Sequence, residues 1–76
     1  MLQTGKLDEA RRDYEKLAGK YPDRHIFQYG LGEVADRKQE VAATVRHFTR
    51  YLELAPKGTT EYTNVLARVA ELTKGK

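Results

Sequence analysis

Apolar residues recur along this chain at steps of three and four, in four separate stretches. In the first, Leu7, Ala10, Tyr14, Leu17, Ala18 and Tyr21 share one helical face. Asp8 and Glu9 are expected in its first turn, where the helix dipole favours anions, and Lys20 in its last. Pro22 ends the stretch, because the residue before a proline avoids the helical region. Asp23 is then the expected N-cap of a helix carrying Phe27, Leu31, Val34 and Ala35, which breaks around Arg37-Lys38-Gln39. A third stretch carries Val41, Val45, Phe48, Tyr51 and Leu52 and closes at Pro56-Lys57-Gly58. The fourth starts at Thr59 or Thr60 and carries Tyr62, Val65, Leu66, Val69 and Leu72. No stretch alternates with period two for long enough to make a strand. The pattern predicts an all-α fold of about four helices.

Two glycines inside the second helix bear on its packing. Each costs about 1 kcal/mol relative to alanine, so a helix that keeps them is expected to admit a close neighbour. Gly32 is the expected crossing point, against a small residue such as Thr44, while Gly30 is expected to face solvent. Leu31, Val45 and Phe48 are the expected core between the second and third helices.

The chain also repeats itself. Pro22 and Pro56 are 34 residues apart, and their neighbours superimpose at the same offset. Leu7 falls on Val41, Ala10 on Thr44, Arg12 on Arg46, Tyr14 on Phe48, Lys16 on Arg50 and Leu17 on Tyr51. Beyond the prolines, Leu31 falls on Val65 and Ala35 on Val69. Identity is low, yet apolar and polar positions stay in phase, so each unit reads as helix, turn, helix.

In period and motif the chain resembles the tetratricopeptide repeat family, whose pattern is W-x2-L-G-x2-Y…A-x3-F…P. Leu31-Gly32, Thr44-x3-Phe48 and Pro56 stand in the complete unit, and Gly5, Ala10-x3-Tyr14 and Pro22 in an earlier partial one. Tyr62, Val65-Leu66 and Val69 stand at the corresponding places of the last helix. The resemblance implies antiparallel helix-turn-helix repeats in an α-solenoid fragment: a partial repeat over 1–24, a complete repeat over 25–58, and a C-terminal capping helix with its tail over 59–76. Departures are visible. Gln28 takes the bulky aromatic place, Ala35 replaces the tyrosine, Thr44 the alanine, Gln39 the turn glycine, and Leu66 the glycine that admits a following helix.

The resemblance further implies a concave face that takes peptides or partner helices. By position that face is Ile26, Tyr29, Glu33 and Arg37 from the second helix, with Thr63, Asn64 and Ala67 from the last. Tyr29 is either an interface anchor or core packing in place of Gln28. The carboxylate clamp found in some members has Ile26, Gly30, Thr60 and Asn64 at its places here, and of these only Asn64 suits it.

Composition narrows the chemistry. The 76 residues contain no cysteine and no serine, which excludes disulfides, thiolate metal sites and Cys or Ser nucleophiles. The net charge is +3, but Lys74 and Lys76 in the tail supply two of the three. The stretch from Leu7 to Lys20 mixes four acids with four bases, a solvated face rather than a phosphate footprint. Neither a signal peptide nor a membrane span is expected: Met1 to Gly5 lacks an apolar run, and no window approaches about 20 apolar residues. Compartment is unassigned, cytoplasmic if Met1 is the native start.

Candidate catalytic groups are sparse. His25 and His47 lack the i, i+4 spacing of a helical zinc pair, so no metal or cofactor is expected. Glu33 and Asp36 share a helix face without a pocket to raise one carboxyl. Gly30-Leu31-Gly32 lies mid-helix, not after a strand, so it is no phosphate loop. Arg46 and Arg50 beside Tyr51 are the best nucleic-acid candidates, with a solvated face as the plainer reading. The expectation is a non-enzymatic protein-interaction module with a protein or peptide partner and no nucleic acid. A structural homo-oligomerisation domain is the alternative.

Self-association follows from the repeat arithmetic. With Gly5 at a turn, only Met1 to Thr4 remain of the first unit's leading helix. Leu2, Leu7, Ala10, Tyr14 and Leu17 are then an uncovered apolar edge, and a homo-oligomer, first of all a twofold dimer, is expected to cover it.

Overall fold

The computed structural model describes residues 3–74, which form four α-helices and no strand. They are α1 (Gln3–Lys20), α2 (His25–Arg37), α3 (Val41–Leu54) and α4 (Thr60–Lys74). Three helix pairs pack: α1 on α2, α2 on α3, and α3 on α4. Each pair is antiparallel, as cross-helix neighbours show. Tyr21 meets Phe27 while Asp8 meets Lys38, His25 meets Tyr51 while Gln28 meets His47, and Tyr51 meets Tyr62 while Val41 and Leu72 line one depression. Helices α1 and α4 do not touch, so the four form an open stack rather than a closed bundle.

The breaks between helices have local causes. After α1, the Arg24 amide donates to the Tyr21 carbonyl at 3.1 Å, closing a turn with Pro22 at its second position. That turn consumes Asp23. The N-cap of α2 is therefore Arg24, extended and without a side-chain cap, and not Asp23 as expected. Helix α2 ends in a Schellman motif, with the Glu40 amide on the Ala35 carbonyl and the Gln39 amide on that of Asp36. Gln39 adopts φ 61°, the left-handed conformation a glycine would take without strain. Gly58 (φ 95°) turns the chain into α4, where the Thr59 hydroxyl oxygen accepts the Tyr62 amide.

The N-terminus corrects two expectations. Helix α1 runs from Gln3 straight through Gly5, which marks no turn. Glycine permits a turn without imposing one, and nothing approaches this one. With the earlier start, Asp8 and Glu9 fall beyond the first turn, whereas Lys20 lies in the last as expected.

The core centres on Phe48, Tyr51, Ala55 and Val65, with Tyr29, Leu52, Tyr62 and Val69 packed around them. Leu31, Val34 and Ala35 are buried on α2. Of the expected trio, Leu31 and Phe48 are buried and Val45 is only half-buried. Both glycines of α2 are buried, so Gly30 does not face solvent. A Cβ on Gly32 would meet the Phe48 ring, and one on Gly30 would lie 2.5 Å from the Tyr14 ring. The partner at Gly32 is thus a large ring rather than a small residue. The helices approach by seating an aromatic on bare backbone. Tyr14 and Phe48, 34 residues apart in the chain, reach α2 from opposite neighbours.

Candidate functional site

Three long-range ion pairs fix the end of the stack where α2 passes into α3. Arg68 of α4 donates to both oxygens of Asp36 on α2, at 2.7 and 3.0 Å. Arg11 of α1 donates to Glu40 at 2.6 Å, and Lys38 donates to Asp8. The Lys38 ammonium holds the Asp8 carboxyl below its ordinary range. Arg68 therefore ties together two helices that do not pack directly, and Arg11 ties α1 to the start of α3.

A groove of about 330 Å³ runs between α1 and α2. Leu7, Ala10 and Tyr14 line it from α1; Tyr29, Gly30, Glu33, Val34 and Arg37 line it from α2. Two residue sets that the sequence assigns to different roles meet here, the concave face and the self-association edge. Glu33 and Arg37 form an i, i+4 pair at 3.8 Å along the rim, and Arg37 is exposed. Tyr29 is half-buried, stacked 6.0 Å from Phe48 and tilted against Tyr51 at 5.7 Å, and it lines the groove. Burial and the neighbouring Glu33 push its phenol above the ordinary value. Tyr29 is thus both core packing and groove wall.

The other expected site residues lie elsewhere. Ile26 is 54% exposed and outside the groove, and Leu17 is exposed beyond its end. Thr63, Asn64 and Ala67 are exposed on α4, outside this groove. Leu2 lies outside the described residues. Gly30 and Val34 line the groove but were not among the expected site residues. Their place depends on how α1 and α2 meet, which no local pattern encodes.

The remaining chemistry is modest. Glu33 and Asp36 diverge, one to Arg37 and the other to Arg68. His47 is half-buried with Nδ1 3.1 Å from the Gln28 side-chain oxygen, and burial together with Arg46 lowers its pKa. It borders a shallow depression of about 520 Å³ with Gln28, Arg46, Thr49, Arg50 and Glu53. Arg50 donates to Glu53 at 3.0 Å there, so half of the expected arginine pair is neutralised. Among the described residues, no group of three or more His, Cys, Asp or Glu is placed to hold a metal ion. Among the described residues, no helix is long and apolar enough to cross a membrane. No protein-family model, curated protein or solved structure matches this chain.

Proposed function

We propose that this chain is a tetratricopeptide-like protein-interaction module that holds a peptide or partner helix along α2. The observation that carries this reading is the groove between α1 and α2. Its floor is apolar, from Leu7, Ala10, Tyr14 and Val34, and its rim is a charged pair, Glu33 and Arg37. An apolar floor with a few oriented polar groups suits a helix or extended segment that reads i, i+3, i+4 anchors. The open stack and the repeat-equivalent rings of Tyr14 and Phe48 support the repeat reading. In that arrangement Ile26, Tyr29, Glu33 and Arg37 continue into Thr63, Asn64 and Ala67 of the next unit. The function needs no catalytic group and no cofactor.

Peptides selected from a displayed random library on the immobilised 76-residue chain, then titrated into isotope-labelled protein, test this reading. Shifts are expected at Tyr29, Glu33 and Arg37, with Thr63, Asn64 and Ala67 following. Selection of no peptide, or shifts confined to Arg46 and Arg50, would overturn it.

A further inference from the structure

The 34-residue repeat makes α1 and α3 counterparts, and their burial differs sharply. On α3, Thr44, Phe48 and Tyr51 are 0%, 2% and 1% exposed, because α2 covers one flank and α4 the other. On α1, the counterparts Ala10 and Tyr14 are half-buried and Leu17 is 36% exposed, since α1 packs on α2 alone. At the opposite edge, α4 packs on α3 alone, and Leu66, the counterpart of Gly32, is 49% exposed.

We infer that these two edges belong together: α4 of one copy docks on α1 of a second copy, as α2 docks on α3 within the chain. The inference rests on the repeat reading above and names one partner for the open edge, this same chain. Contacts inside the chain supply the register. Gly32 against Phe48 becomes Leu66 against Tyr14 of the second copy, beside Ala10 where α3 has the larger Thr44. Bulk moves from one helix to the other. The Gln28–His47 hydrogen bond becomes Tyr62 beside Asp13, a phenol donor and a carboxylate acceptor. The Asp36–Arg68 ion pair becomes Ala70 against Val34 on the groove floor, apolar on apolar. None of the three positions brings like charges together, and the new contact continues an interface the chain already makes.

A twofold pairing of α1 with itself is less well matched. Leu7, Ala10, Tyr14, Leu17 and Tyr21 follow heptad spacing. In an antiparallel pair in that register, Asp13 faces Asp13, Arg11 faces Arg11 and Lys6 faces Lys20. Like charges oppose one another along both flanks. A head-to-tail contact leaves a free edge at each end of a dimer, so further copies add, in a row or round a ring.

Sedimentation of the full chain from tens to hundreds of micromolar tests the inference. The weight-average mass is expected to rise past that of a dimer. Leu66→Glu blocks one edge and Ala10→Glu the other, and each variant alone is expected to weaken association by at least about tenfold. Mixed, they retain one intact edge each and are expected to form a one-to-one heterodimer. Leu17→Glu, at a more exposed position, replaces Ala10→Glu if circular dichroism shows the latter unfolded. A monomer at all concentrations, a mass that stops at dimer, or association insensitive to Leu66→Glu would overturn the assembly. Peptide-induced shifts at Tyr29, Glu33 and Arg37 in a monomeric chain would leave the interaction module standing while this inference fails.

Discussion

The ring of Phe48 occupies the space that a side chain at position 32 would need. Gly32 and Phe48 are both buried, and the ring is backed by Tyr29, stacked 6.0 Å away. It has no free direction in which to retreat. Gly32→Ala is therefore expected to destabilise by ~1–3 kcal/mol, outweighing the ~1 kcal/mol that alanine gains in helix propensity. Phe48→Ala is expected to cost ~3–5 kcal/mol. Denaturant unfolding measures both, and a Gly32→Ala chain as stable as its parent would contradict the contact.

Gly30 faces the same problem with a softer neighbour. Tyr14 is half-buried and borders the groove, so its ring has somewhere to go. Gly30→Ala is expected to lose less stability than Gly32→Ala. In a Tyr14→Ala background the same change is expected to stabilise by ~0.5–1 kcal/mol, because only the propensity gain remains. A double-mutant cycle between positions 14 and 30 reads the difference as coupling.

Gln39 holds a left-handed backbone (φ 61°) at the end of α2, where glycine is free of Cβ strain. Gln39→Gly is expected to stabilise by roughly 0.5–1 kcal/mol, net of the extra freedom glycine has when unfolded. Thermal unfolding checks it, with an unchanged or lowered midpoint as the contrary result.

Tyr51 donates its hydroxyl to Glu61 at 2.7 Å, and burial with that carboxylate pushes its pKa up to about 12 from the ordinary 10.0. The folded state holds the proton more tightly than the unfolded one. Its contribution is complete below the unfolded pKa and is lost as pH rises through that value toward about 12. Absorbance titration is expected to show two late-ionising phenols, Tyr29 and Tyr51, and Tyr51→Phe is expected to remove one of them while costing ~1–2 kcal/mol.

His47 has the opposite sign, because burial and Arg46 lower its folded pKa from 6.5. The unfolded chain binds the proton first on acidification, so stability is expected to fall as pH drops below 6.5. Proton resonances of the imidazole are expected to titrate below that value, and His47→Gln is expected to flatten this part of the pH profile. A midpoint at or above 6.5 would contradict the burial seen beside Gln28.

Four helices and their breaks were legible from the sequence because the signals are local. Apolar steps of three and four mark the helices, and Pro22 and Pro56 mark where they stop. The break at Gln39 was legible too, from the polar run Arg37-Lys38-Gln39 that interrupts the apolar steps. The Asp23 cap failed because a neighbouring turn hydrogen bond claimed the residue, and Gly5 failed because a glycine only allows a bend.

By itself, then, the sequence determined the helices and their order, which depend on residues a few places apart. Only the tertiary structure decided that the rings of Tyr14 and Phe48 seat on the glycines of α2, and that Leu7, Ala10 and Tyr14 share a groove with Tyr29, Glu33 and Arg37. It also placed Arg68 on Asp36. These depend on how far each helix is rotated about its axis and how closely it approaches its neighbour. That is settled by packing of side chains from distant parts of the chain, which a local period does not specify.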